Sequence, residues 1–345
     1  MNVHRYALFL LISAVFSSFS AAQNPIVPAG AKLEKLFEGV MLTEGVSVAP
    51  DGLVYFSDIT FSSQTRQPDG SFHAGHIWVF DPKTGQTRIF RSPSGMSNGI
   101  KFDARGNMIV CEGADYGGRR VTRTDMKTGQ SFVIAALFNH QPLNSPNDVT
   151  IDEKGRMYFS DPRYMGHEPI LQPVMGVYRI DTDLSLHRII SDAGKPNGVC
   201  VSPDQKTLYV VCHNNGSTDP LTSADGGEAP EPRKGAMQLT AYDLHDDGSA
   251  TFRRMLVNYY PENGPDGLCC DAQGNIYVAE RNLTKPGIGI YSPEGKSLGF
   301  IPTEVPTNVG FGRGDDLNLL YITAGKSLYR IRLSVPGYQL PDKKD

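Results

Sequence analysis

NDVTIDEKGRMYFSD, residues 147–161, opens on two polar residues, alternates through Val149, Thr150 and Ile151, turns at Glu153-Lys154-Gly155, and becomes apolar and aromatic again at Met157-Tyr158-Phe159. This is the pattern of a β-hairpin with one buried face and a glycine in its turn. The same pattern returns as EGVSVAPDGLVYFSD from Glu44, NGIKFDARGNMIVCE from Asn98 and NGVCVSPDQKTLYVVC from Asn197. It recurs again as DGLCCDAQGNIYVAE from Asp266 and NVGFGRGDDLNLLYITA from Asn308. Successive openings lie 54, 49, 50, 69 and 42 residues apart. A series with a period of about 50 residues has room for four strands per unit and marks a β-propeller.

Further strand patterns fill the units, such as His76 to Phe80 and Gly176 to Ile180, and no segment carries a sustained helical period. The last repeat is short: 326–333 reads as its third strand, and 31–37, ahead of the first hairpin, as its fourth. That arrangement closes the ring and leaves no open edge. The expectation is one all-β domain, a six-bladed β-propeller with a central metal site, over residues 31–335, followed by a C-terminal tail, 336–345. An insertion rich in Gly, Pro, Asn and Asp occupies 213–233.

The formal net charge is −4 and the basic residues are scattered. Neither nucleic acid nor an anionic membrane is expected as a partner, which leaves small molecules. Residues 1–22 carry a basic start, an apolar run from Tyr6 to Phe16 and small residues up to Ala22. This is the layout of a secretory signal peptide. The run falls short of the about 20 apolar residues a membrane anchor needs. The mature chain is therefore expected in the periplasm or outside the cell, with no membrane partner after cleavage. All five cysteines sit in apolar strand sequence and read as buried thiols, with Cys200 and Cys212 on opposite arms of one hairpin as the one conceivable bridge.

The residues that open the repeats, Glu44, Asn98, Asn147, Asn197, Asp266 and Asn308, are all oxygen donors at equivalent positions of a ring. If each opens an inner strand, Asp58, Glu112, Asp161, Cys212 and Glu280 return beside them. The longer loops then leave from that same face, where binding is expected. Carboxylates and carboxamides without matching His or Cys suit a hard divalent cation, calcium first, with magnesium, manganese or zinc as alternatives. The simpler reading is that Asn-Gly and Asp-Gly pairs are turn formers at strand starts.

The run Leu143-Asn144-Ser145-Pro146-Asn147-Asp148-Val149, followed by Met157-Tyr158-Phe159-Ser160-Asp161-Pro162, resembles the bacterial gluconolactonase pattern of an NSPND turn and a strand ending in (T/S)DP. Gly118-Arg119-Arg120-Val121-Thr122-Arg123, Lys195-Pro196-Asn197-Gly198 and Gly264-Pro265-Asp266-Gly267 extend the resemblance to most of the chain after Leu33. The family it resembles unites gluconolactonases, senescence marker protein and luciferin-regenerating enzymes. The resemblance implies a divalent cation held by Glu44, Asn147, Asn197 and Asp266, with Asn147 as ligand or substrate contact. Asp266 is the candidate to activate water. Asn98, Asn147, Asp148, Arg119 and His167 are the candidate substrate contacts. The chain departs from the family at Cys111-Glu112-Gly113, where a Cys-Glu-His stretch is usual, and its following loop is longer.

His76, His140, His167 and His213 show no paired metal-ligand spacing and read as loop or strand-start residues, His167 and His213 being nearest the mouth. No Gly-x-Ser-x-Gly elbow surrounds Ser57 or Ser160, which argues against a serine hydrolase. The leading expectation is a metal-dependent hydrolase of sugar lactones, acting on a small-molecule lactone or sugar acid. A non-catalytic exported propeller that binds sugar or protein, and a sugar-acid lyase or isomerase on the same cation, remain as alternatives.

Overall fold

The computed structural model describes residues 25–217 and 234–341. The expected signal peptide, and most of the 213–233 insertion, lie outside the described residues. Six four-stranded antiparallel sheets form the blades of a β-propeller. Blade 1 comprises Thr43–Val48, Val54–Asp58, His76–Asp81 and Gln86–Arg91. Blade 2 comprises Ser97–Phe102, Met108–Glu112, Arg120–Thr124 and Ser131–Ala135. Blade 3 runs through Val149–Ile151, Met157–Ser160, Val177–Ile180 and Leu186–Ile190, and blade 4 through Pro196–Val201, Thr207–His213, Met237–Leu244 and Ala250–Asn258. Blade 5 holds Pro265–Cys270, Ile276–Glu280, Gly287–Tyr291 and Ser297–Pro302. Blade 6 takes three strands from the C-terminal part, Pro306–Phe311, Leu319–Ala324 and Ser327–Arg332, and its outer strand, Glu34–Glu38, from the N-terminal part.

Burial explains why the hairpins assemble this way. The inner two strands of blade 1 are buried along their whole length, whereas its outer strand is mostly exposed or half-buried. Residues on both faces of an inner strand therefore need partners from a neighbouring blade. The six apolar clusters of the core are the six blade interfaces. Val46, Val54 and Phe56 of blade 1 meet Leu319, Tyr321 and Leu328 of blade 6, and Tyr55, Ile77 and Val79 meet Ile100, Met108 and Val110 of blade 2. The seam between first and last blades is also polar, with the Thr307 hydroxyl donating to Thr43 O at 2.6 Å.

Two details go beyond the sequence reading. Residues 336–340 do not trail away from the domain. Gly337 N donates to Leu317 O at 2.8 Å, Tyr338 N to Cys270 O at 3.1 Å and Gln339 Nε2 to Phe311 O at 2.6 Å. The segment lies across the floor of the axial channel, where Tyr338, Gln339 and Leu340 line a cavity of about 80 Å³ with Lys101, Thr150, Cys200 and Cys269. All five cysteines are free thiols, as expected, and the alternative Cys200–Cys212 bridge is absent because the hairpin register pairs Cys200 with Tyr209 and Cys212 with Pro196.

Candidate active site at the axial ring

Five of the six blades carry an irregularity at the same place. The ladder slips by one residue between Glu44 and Ser47, Ser97 and Ile100, Pro196 and Val199, Pro265 and Leu268, and Pro306 and Asn308. A bulge of this type sets an extra residue against the partner strand and re-aims the side chain beside it. In blade 3 the strand proper starts at Val149, and Asn147 is held by donating its N–H to Ser160 O at 2.9 Å. The glycines after Glu44, Asn98, Asn197 and Asp266 are spacing devices inside strands, not turn formers. A Cβ on Gly99 would stand 2.7 Å from Asn147 O, and one on Gly45 or Gly198 would overlap the carbonyl oxygen of Asn98 or Asp266 in the next blade. Ser57 and Ser160 reinforce this spacing, donating to the backbone carbonyls of Asn98 at 2.8 Å and Asn197 at 2.5 Å.

The carboxylates that end the second strands clasp the segments leading into the ring. Asp58 accepts the N–H groups of Val40 at 2.6 Å, Met41 at 3.0 Å and Leu42 at 3.1 Å, and the indole N–H of Trp78 at 3.1 Å. Asp161 accepts Asn144 N at 2.8 Å and Ser145 N at 2.7 Å, holding the loop that delivers Asn147. Burial pushes the Asp161 carboxyl up to about 7, against the opposing pull of those N–H groups.

Glu44, Asn98, Asn147, Asn197 and Asp266 converge on one cavity of about 240 Å³. Each is only 4–8% exposed. Asn308, the sixth opening residue, turns its amide toward Glu44 Oε2 at 3.4 Å and accepts Val309 N at 2.8 Å with its oxygen. Three expected substrate contacts lie outside the cavity lining. Asp148 is buried beside it, with Oδ2 accepting Val199 N at 3.2 Å. Arg119 donates Nε to Leu143 O at 2.9 Å and to Asn144 O at 3.1 Å, which ties down the blade 3 loop. His167 is exposed and packs on Tyr116, ring centroids 4.1 Å apart.

Other residues take those places. Arg281 Nη1 forms an ion pair with Asp266 Oδ2 at 2.6 Å, and its guanidinium lines the cavity. Tyr164 and His213 line it as well, and His213 is buried where a solvent-facing loop position was expected. The Lys195 ammonium sits 4.2 Å from the centroid of the Tyr164 ring and donates to Asn215 Oδ1 at 3.0 Å and Ser217 Oγ at 3.1 Å. The apolar part of the lining is built by Leu42, Ile59, Phe61, Met96 and Met165. Arg281 was findable: it directly follows Glu280, whose strand end the hairpin register had placed at this face.

Burial and then the charge of Asp266 raise the Glu44 carboxyl well above its ordinary range; burial likewise raises Asp148. Burial works against the Arg281 charge, but Asp266 more than restores it. Two buried oxygens, Asn98 Oδ1 and Asp148 Oδ1, have no hydrogen-bond partner. Excess buried negative charge and an orphaned carboxamide oxygen are what a hard cation would relieve. Among the described residues no three His, Cys, Asp or Glu side chains group as a metal site by themselves, so asparagines have to supply part of any donor set. Glu44, Asp266 and the ring asparagines fit that requirement.

The SMP-30/gluconolactonase/LRE-like family model matches residues 42–326. A gluconolactonase from Zymomonas mobilis is 28% identical over 343 residues, which cover 93% of this chain and 86% of that protein. The solved structure of a gluconolactonase from Xanthomonas campestris superposes with a TM-score of 0.68 at 25% identity, over 88% of this chain and 89% of that one. The calcium-binding protein regucalcin from Agrobacterium tumefaciens, at 18% identity and a TM-score of 0.65 over 92% of this chain and 98% of its own, shares the fold. Matched from the first blade into the last, the chain belongs to the SMP-30/gluconolactonase/LRE-like family.

Proposed function

We propose that the axial cavity is the active site of a metal-assisted hydrolase of lactones, sugar lactones first. The observation that carries this reading is the convergence of two carboxyl groups and three carboxamides, each from a different blade, in one buried cavity wide enough for a small ring. The names and extent of the relatives support the same reaction class.

Glu44, Asn197 and Asp266 would hold the cation, with Asn147 as ligand or close neighbour and calcium as the first candidate. When bound, the cation supplies Lewis-acid polarisation of the ester carbonyl and stabilises the charge that develops on its oxygen. Asn98 has an unpartnered Oδ1 and is suited to receive a hydroxyl of the substrate. Asp266 is the sequence-based candidate for activating water. Its Oδ2 is engaged by Arg281 at 2.6 Å, so it orients the attacking water through the other oxygen. Leu42, Ile59, Phe61 and Met165 line the cavity and shield a bound ring from bulk water.

The test is proton release over a panel of sugar lactones with calcium, magnesium, manganese and zinc, before and after chelation. Metal-dependent turnover that chelation abolishes is expected. Absence of turnover on every lactone with every cation would overturn the reading.

A further inference from the structure

His213 ends the second strand of blade 4, and its position is set from four directions. Its N–H donates to Lys195 O at 3.0 Å, and its carbonyl accepts the Tyr164 hydroxyl at 3.1 Å. Its Nδ1 lies 3.1 Å from Gly264 O and 3.0 Å from Pro265 O, the two carbonyls that precede Asp266. The Tyr164 ring packs against the imidazole edge to face, centroids 6.1 Å apart.

The chemistry of those two carbonyls decides the tautomer. A backbone carbonyl oxygen accepts and never donates, so the nitrogen between them carries the proton. A neutral imidazole has one N–H, which leaves the lone pair on Nε2. Burial lowers the His213 pKa and disfavours a second resting proton; the charge of Asp266 pulls the other way, and that of Arg281 adds to the effect of burial. The ring lines the same cavity as Asp266, Asn197 and Arg281.

Asp266 is badly equipped to take a proton itself. One oxygen is paired with Arg281 at 2.6 Å, and the other is needed for the cation and the water. A buried imidazole in the cavity lining, locked at Nδ1 by two carbonyls and left with its lone pair on Nε2, has what a general base needs.

We infer that His213 is a catalytic residue, and that its Nε2 accepts the proton of the attacking water and returns it to the leaving ring oxygen. The inference rests on the lactonase reading. In the first step the water oxygen bonds to the carbonyl carbon and its proton passes to Nε2. In the second the bond from carbon to the ring oxygen breaks, and the proton on Nε2 passes to the departing alkoxide. One water is consumed, a hydroxy acid is released and the imidazole is again neutral. The hydrogen bonds at Nδ1 stabilise the transient imidazolium, as a carbonyl or carboxylate partner does in other histidine bases.

The experiment compares wild type, His213→Asn and His213→Ala on a lactone that wild type turns over, at saturating calcium. The Asn amide can still donate to Gly264 O and Pro265 O but has no basic nitrogen. The expected result is kcat reduced by about 10²- to 10⁴-fold in both variants. KM and bound calcium should stay within about threefold of wild type, and added imidazole should restore turnover in His213→Ala. Either kcat within about threefold of wild type in His213→Asn, or a loss confined to KM, overturns the assignment. A kcat loss that imidazole does not rescue and that comes with lost calcium also overturns it, because the histidine is then structural. Wild type failing on every lactone is a separate outcome, and removes the lactonase reading instead.

Discussion

Replacing Asp58 by Asn tests whether the strand-end carboxylates are clasps. The aspartate accepts four N–H groups, two on each oxygen: Met41 and Leu42 on Oδ1, Val40 and the Trp78 indole on Oδ2. An Asn of the same shape can place its oxygen toward only one of those pairs. Its NH₂ then faces the other pair, donor against donor, and two part-buried N–H groups lose their acceptor. Hydrogen bonds to a charged group contribute about 1.5–3 kcal/mol each, so the variant should lose about 3–6 kcal/mol. At roughly 2 °C per kcal/mol for a domain of this size, Tm should fall by about 6–12 °C. Trp78 is the only tryptophan in the chain, and its indole is one of the four donors, so intrinsic fluorescence reports on the clasp directly. The assay is thermal unfolding by tryptophan emission at fixed excess calcium, which holds any ligand contribution constant. A Tm within about 2 °C of wild type, with unchanged emission, would refute the argument that these four bonds hold the entry to the ring.

Gly198→Ala should cost about 1–3 kcal/mol through overpacking, because its Cβ would overlap Asp266 O. It should also weaken calcium binding measured by titration calorimetry, whereas Gly52→Ala, in an open turn, should leave calcium binding unchanged. Chelation should lower Tm as well as abolish turnover, and calcium should restore both, since a ligand that binds only the folded chain stabilises it. For Asp161, the unfolded chain releases the proton near the ordinary aspartate value of about 3.9, whereas the fold retains it up to about 7. Its contribution is therefore fully present below the ordinary value and is lost as pH rises through about 7. Asp161→Asn, neutral throughout, should show a flatter fall of Tm between those limits.

The blades were legible because each hairpin states its own period and turn, and six copies in phase leave little freedom. The ring was legible for the same reason: Glu44, Asn98, Asn147, Asn197 and Asp266 occupy one repeat position and meet in one cavity. What escaped sequence reading depends on contacts between blades. The bulges and the tight glycines answer to the neighbouring blade, and a period-two pattern says nothing about it. Arg119 and His167 were placed at the mouth by position in long loops, whose course no periodicity specifies. Tyr164 takes up the inward direction there. His213 looked like the first residue of an insertion, but the strand runs one residue further than the repeat implies and carries it inward. The docked segment 336–340 has no apolar period; its hold comes from backbone groups, from the Gln339 amide and from Tyr338, which reaches Glu153 in blade 3 at 2.9 Å.

The seam in blade 6 makes closure of the ring depend on the two ends of the domain finding each other. Arg330 meets Glu34 across 296 positions of chain, and bringing such distant segments together costs about 5 kcal/mol of loop-closure entropy. The ring residues on either side of that seam, Asn308 and Glu44, touch only once it has zipped. Five blades can thus be complete while Glu44 still lacks its neighbour from blade 6. New termini opened in the turn at Asp125–Gly129, with the old ones joined, would make the blade 6 pairing local and shift the long-range pairing to blade 2. Such a permuted chain would assemble the same site in a different order.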